Sequence, residues 1–167
     1  MRWAVENKIT TGATETTFCP TDPCTRAQLV TFLYRAVLAA GGGEAAGGKL
    51  SFEDVSGDNP YYDAILWAYQ NGITKGVDGV HFRPGETVTR AQSMTFLFRC
   101  AVAYEWEAKD GAENPYEDVA DGTDYIQPIL WAVENQITKG TDAARFSPDA
   151  PCTRGQIVTF LYRYYVS

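Results

Sequence analysis

Thr89-Arg90-Ala91-Gln92-Ser93-Met94-Thr95-Phe96-Leu97 reads as the opening of a helix. The Thr89 hydroxyl can accept from the amide of the third helical residue. Gln92, at that third position, can reach back to the threonine's own amide, so two otherwise unpaired donors are closed. The same box stands at Thr25-Arg26-Ala27-Gln28 and at Thr153-Arg154-Gly155-Gln156, each 64 residues from the next (89 minus 25, 153 minus 89). Past the first box Leu29, Phe32, Leu33, Ala36 and Val37 follow helical spacing, as do Ile157, Phe160, Leu161, Tyr164 and Tyr165 past the third. Each such helix has one apolar stripe, and three equivalent stripes predict a common axis.

The 64-residue interval extends outward on both sides of the box. It carries Trp3, Trp67 and Trp131; Ile9, Ile73 and Ile137; Gly12, Gly76 and Gly140; Phe18, Phe82 and Phe146; Pro20, Pro84 and Pro148; and Phe32, Phe96 and Phe160. Phe52-Glu53-Asp54-Val55 matches Tyr116-Glu117-Asp118-Val119 at the same interval, and the first copy would fall before residue 1. The sequence therefore opens partway through a repeat.

Each full unit reads as helix, loop, helix. In the second, Asp58 or Asn59 can cap, Pro60 suits the first helical position, Tyr61 to Asn71 run helically and Gly72 supplies the stop. The loop from Ile73 to Val88 is rich in Gly and Pro, with Phe82 predicted to plug it onto the core. Ala40 to Gly48 and Glu107 to Asn114 read as flexible surface connectors. One helix pair cannot bury its own face, so residues 1–167 are expected to form a single all-α module. Its units are 1–40 (partial), 50–105 and 114–167.

A chain of 167 residues at 45% hydrophobic and 13% aromatic can bury a real core. Its formal charge of −7 argues against nucleic acid, so any anionic ligand must be held by locally placed cations. There is no membrane-spanning apolar run and no apolar signal segment after Met1-Arg2-Trp3, so a chain working outside the cell would be a piece of a longer precursor. Cys19, Cys24, Cys100 and Cys152 lack CxxC spacing, and His81 is the single histidine; no metal set is expected. Cys19 and Cys24 could pair across their loop or remain plain thiols. A catalytic centre needs groups in distinct roles, whereas a repeat places identical groups three times; no catalytic residues are assigned, and His81 reads as a loop residue.

The combination of Phe52-Glu53-Asp54-Val55, Trp67-Ala68, Ile73-Thr74-Lys75-Gly76, Phe82-Arg83-Pro84 and Thr89-Arg90-Ala91-Gln92 resembles the S-layer homology family, echoed by Ile9-Thr10-Thr11-Gly12 and Ile137-Thr138-Lys139-Gly140. The resemblance covers nearly the whole chain. It implies a pseudo-threefold prism with a central three-helix bundle, part of a larger secreted protein at a bacterial cell surface or wall. It also implies binding of wall polysaccharide bearing pyruvylated sugars, in grooves between units, with no cofactor. Two departures stand out. Gln28, Gln92 and Gln156 replace the family's commoner Glu, and the absent first segment predicts one incomplete groove.

A pyruvate ketal carries a carboxylate, and a helix start with unpaired amides and a positive dipole end suits it. Arg26, Arg90 and Arg154 sit one residue inside such starts and could add a bidentate contact; otherwise they pair with Asp or Glu of neighbouring units. Gly12, Gly76 and Gly140 either let a sugar approach or supply a positive φ. Trp3, Trp67 and Trp131 either stack on a sugar or pack in the core. Asp54 and Asp118 either accept from sugar hydroxyls or organise the turn before the first helix. Lys75 and Lys139 could supplement the cationic site or simply be solvated. Arg35, Arg99 and Arg163, late in the second helices, are explained by the helix dipole. The competing reading of the whole chain is a protein-interaction or self-assembly module.

Overall fold

The computed structural model describes residues 2–14, 16–104 and 113–166. Among these are six helices and no strand: α1 (Arg2–Glu6), α2 (Arg26–Ala39), α3 (Tyr62–Gln70), α4 (Arg90–Ala103), α5 (Ile126–Glu134) and α6 (Arg154–Val166). The fold is all-α, as expected. All three boxes form as read. Thr25, Thr89 and Thr153 accept from Gln28, Gln92 and Gln156 at 3.3, 3.2 and 3.3 Å, and the glutamines accept back at 3.1, 3.2 and 2.9 Å. Each cap of this kind stabilises its helix by about 1 kcal/mol.

The first helix of the middle unit is shorter than expected. Asn59 turns its side chain onto the Tyr61 amide at 2.9 Å, so the chain is still in a turn at Pro60 and α3 begins at Tyr62. Its end is left-handed at Gly72 (φ 68°), and the equivalent positions Lys8 and Gln136 take the same conformation at 58° and 57° without being glycine. The connector 40–48 is tied down: Ala46 exchanges hydrogen bonds with the Gln70 side chain at 3.0 and 2.8 Å. Most of the second connector falls at 105–112, outside the described residues.

The stripes of α2, α4 and α6 are buried, and α2 packs against both α4 and α6. Each second helix also leans on the first helix of the next unit: α2 on α3, α4 on α5 and α6 on α1. The contact is aromatic each time, with Tyr34 against Trp67 (5.3 Å between centroids), Phe98 against Trp131 (5.5 Å) and Tyr162 against Trp3 (5.6 Å). Phe82 and Phe146 are fully buried, so the loops are plugged as expected.

Just before the boxes three chain segments meet. Cys24 donates to Cys152 (2.8 Å), Cys152 to Val88 (2.9 Å) and Val88 to Cys24 (3.0 Å), so three backbone hydrogen bonds close a ring. The cap residues Thr25 and Thr89 are extended, which turns amides and carbonyls sideways across the junction. All three ring residues are fully buried, where only compact apolar side chains fit. The four cysteines are free thiols, and burial pushes Cys24 and Cys100 up to about 12.

Candidate functional site

Each box arginine reaches across a junction between units. Arg26 Nε donates to the Phe82 carbonyl (2.8 Å), Arg90 Nε to that of Phe146 (3.0 Å) and Arg154 Nε to that of Phe18 (3.0 Å). The aromatic ring of the same residue lies under each guanidinium at 5.0, 4.6 and 4.8 Å. The three arginines are only 4, 6 and 4% exposed, yet none belongs to an ion pair among the described residues. A buried cation without a carboxylate partner is costly. Burial accordingly pushes the Arg26 and Arg90 guanidiniums below their ordinary range.

The expected role of the helix-start amides is corrected. Arg26 N and Ala27 N donate to the carbonyls of Glu86 and Pro84, Arg90 N and Ala91 N to those of Ala150 and Pro148, and Arg154 N and Gly155 N to those of Asp22 and Pro20. Each neighbouring loop caps the next helix, so these amides are not available to a carboxylate. The donors that remain belong to the guanidinium. Arg90 spends Nε on Phe146 and Nη2 on the Lys139 carbonyl (3.0 Å), two of its five N–H groups. Arg154 Nη2 is buried with no partner.

Arg90 opens into a groove of about 740 Å³ lined also by Lys139, Gly140 and Arg163, by Thr138, Thr141, Thr153 and Thr159, and by Gln156 and Tyr162. Pro20 of the first unit closes one side, so all three units contribute. The lining holds three basic residues and no Asp or Glu, in a chain with 21 acidic and 14 basic residues. Of the expected site residues, Arg90, Lys139 and Gly140 are brought together here. Arg26, Gly12, Gly76 and Lys75 lie at the other two junctions, with Lys75 exposed. Arg163, in the last turn of α6, donates its Nη1 to the Ile137 carbonyl (3.1 Å), as Arg35 and Arg99 do to Ile9 and Ile73 (3.5 Å each).

Trp67 and Trp131 fit the core-packing alternative, and Gly12 and Gly76 the positive-φ one, at 102° and 79°. Trp67 and Trp131 are 0 and 1% exposed, so neither can stack on a sugar, and Trp3 is half-buried against Tyr162 and Tyr165. The Trp67 indole donates to Tyr104 (2.8 Å), whereas that of Trp131 is buried without a partner. At the loop glycines the close approach is internal. A Cβ at Gly76 would stand 2.5 Å from the His81 carbonyl oxygen and 2.7 Å from the Phe52 ring; one at Gly140 would meet Arg145 and Asp142 oxygens at 2.5 Å and the Tyr116 ring at 2.6 Å.

Asp54 and Asp118 organise the loop after the first helix and not the turn before it. Asp54 clamps the amides of Phe82 and Arg83 (2.8 and 2.6 Å), and Asp118 those of Phe146 and Ser147 (both 2.8 Å). The second residue of each pair is left-handed, at φ 59°. A carboxylate facing two amides holds that unfavourable conformation. Burial pushes the Asp118 carboxyl up, but the amide bonds outweigh it and hold the group below its usual range. Asp118→Asn places an amide NH2 against a donor, and a loss of about 1–3 kcal/mol in denaturant unfolding is expected. Ser147→Gly in the same background should recover part of it.

His81 lies outside the groove, its Nδ1 2.9 Å from Asp78. The Asp78 hydrogen bond raises the histidine above its ordinary range, and the amides of Val80 and His81 with the imidazole take Asp78 down to about 2. The histidine's contribution to stability is full below its unfolded pKa and is lost as pH rises through the raised folded value. That of Asp78 is present above the ordinary carboxylate pKa and is lost as pH falls towards about 2. As the only histidine, His81 gives one imidazole resonance in an NMR titration. Its midpoint should lie above that of a free histidine and fall back in Asp78→Asn.

The S-layer homology domain pattern matches residues 1–30, 51–92 and 115–158. The chain belongs to the S-layer homology family. A Surface-layer 125 kDa protein of Lysinibacillus sphaericus is 30% identical over 154 residues, covering 90% of this chain and 12% of that protein. An endoglucanase of Bacillus sp. (strain KSM-635) is 31% identical over 156 residues, 90% of this chain and 16% of the enzyme. Exoglucanase XynX of Acetivibrio thermocellus is 28% identical over 159 residues, 92% and 14% respectively. The chain thus spans less than a fifth of the length of these relatives, and the shared part is an S-layer homology module common to a surface-layer protein and two glucanases. Membership places the chain at the cell surface. No described helix is long and apolar enough to cross a membrane, and no described group of three or more His, Cys, Asp or Glu could hold a metal ion.

Proposed function

We propose that this S-layer homology module is a non-catalytic anchor that holds a larger secreted protein to the cell wall by binding an anionic, pyruvylated polysaccharide. The observation that carries the reading is the groove at Arg90, where three basic side chains and no acid gather in a chain of net charge −7. A ketal carboxylate would take the guanidinium N–H groups that Arg90 does not spend on carbonyls, with Lys139 adding charge. Threonine hydroxyls and Gln156 match sugar hydroxyls, and Tyr162, 46% exposed, offers a ring face. A buried guanidinium without a carboxylate partner would gain its counter-charge from the ligand, which is how the cost of burying it is offset. Arg26 and Arg154, with Lys75, Gly76 and Gly12, form the corresponding sites at the other junctions.

The test is retention on purified wall polysaccharide before and after removal of its pyruvyl groups. Binding that disappears with the ketal supports the reading. Equal binding to both polymers overturns the pyruvyl-dependent reading, and oligomerisation without retention on either overturns it in favour of a protein-interaction module.

A further inference from the structure

Pro23 pairs with Thr153, Thr25 with Thr87 and Thr89 with Pro151, each in the antiparallel sense. The residues one step along, at 24, 88 and 152, therefore face one another in pairs around the closed ring. Two of these corners are cysteines and the third is Val88. Around Cys24 and Cys152 the pairing is regular: Arg154 N donates to the Asp22 carbonyl (3.0 Å) and Cys24 N to that of Cys152 (2.8 Å). Directly opposed residues of this kind stand about 5.5 Å apart at Cα, inside the ~4.4–6.8 Å that a disulfide spans.

The other two cysteines are placed differently. Cys19 turns its Sγ to the Thr17 hydroxyl (3.8 Å), and Cys100 is buried on α4. Cys24 Sγ rests on the Thr25 carbonyl (3.7 Å) and the Cys152 thiol on the Ser93 hydroxyl, both weak contacts. Turning each side chain about its Cα–Cβ bond exchanges these contacts for a bond between the two sulfurs.

We propose that Cys24 and Cys152 form a disulfide that staples the first unit to the third, made while the chain is still open and sealed when the ring closes. One thiolate attacks an external disulfide, forming a mixed disulfide and releasing a thiol. The second thiolate then attacks the protein sulfur of that intermediate and expels the other thiol. Two protein thiols lose two electrons and two protons, and the external disulfide takes them up. Such bonds persist outside the cell, where membership of the family puts this chain. In the folded chain both sulfurs are fully buried, and burial pushes both thiols up, Cys24 to about 12. The thiolate that exchange needs is therefore scarce once folding is complete. The staple joins residues 128 positions apart (152 minus 24), so it removes much of the freedom of the open chain.

The experiment incubates the reduced intact chain with oxidised glutathione, in buffer and at the midpoint of its denaturant transition, then alkylates the remaining thiols and maps the peptides by mass spectrometry. In buffer the buried thiols should stay reduced. At the midpoint one linked peptide joining Cys24 to Cys152 is expected, and after return to buffer the chain should melt about 5–15 °C higher than its reduced form. Cys24→Val/Cys152→Val, which gives all three corners the residue already at Val88, should lose the link and the shift. Cys19→Ser/Cys100→Ala, which keeps the pair, should retain both. Glutathione adducts without a link, a link from Cys19 to Cys24, or an oxidised chain that melts no higher each overturns the proposal. No polysaccharide enters these measurements, so the staple and the anchor reading stand or fall separately.

Discussion

Arg90→Lys is expected to weaken retention on the pyruvylated polymer by roughly 10- to 100-fold while leaving helix content unchanged. Lysine keeps the charge but offers no planar fork. It cannot hold the Phe146 and Lys139 carbonyls and a ligand carboxylate at once, as the guanidinium can. A charge-assisted bidentate contact is worth about 1.5–3 kcal/mol, which sets the size of the loss. Lys139→Ala provides the contrast. Its exposed side chain acts as a point charge, so the loss should be several-fold and should shrink as salt is added. Thermal unfolding of both variants separates binding from packing, since Arg90 also ties the second unit to the third. Undiminished retention by folded Arg90→Lys would remove the anion site.

The largest stability loss is expected at Trp67. Its ring is fully buried between Tyr34 (5.3 Å) and Tyr104 (6.3 Å), and its indole bonds to Tyr104 at 2.8 Å. Truncation to alanine removes the aromatic joint between α2 and α3 and opens a cavity that neighbouring helices can only partly fill, a cost of about 3–5 kcal/mol. Set against a total of roughly 5–15 kcal/mol, that lowers the melting midpoint by roughly 6–20 °C for a chain of this size. Trp3→Ala, at the half-buried equivalent, should lose less than half as much. A Trp67→Ala chain that melts normally yet fails to bind polymer would return the tryptophan to the ligand-binding set.

The helical framework was legible because its signals are local. A threonine and a glutamine three residues apart fix a helix start by geometry within one turn, and all three boxes formed as read. The roles of Asp54, Gly76 and the box arginines were harder to read, because their partners lie far along the chain. Asp54 clamps a loop 28 residues away, and Arg26 bonds a carbonyl 56 residues away. A sequence shows which groups recur but not which neighbour each recurrence meets. For the same reason the helix-start amides, open when one unit is considered by itself, are closed by carbonyls of the next. The 64-residue register of Tyr34, Phe98 and Tyr162 against Trp67, Trp131 and Trp3 was a usable signal for which helix leans on which.

The ring at Cys24, Val88 and Cys152 closes only when all three segments are present, and beside it Arg154 bonds Phe18, 136 residues upstream, across most of the polypeptide. During synthesis the first two helix pairs would emerge with unmatched faces and could not mature until the final box had been made. Folding should therefore be a single late, cooperative event rather than a stepwise accretion of units. Truncation after residue 113 would yield a sticky, protease-sensitive fragment and not a smaller working anchor.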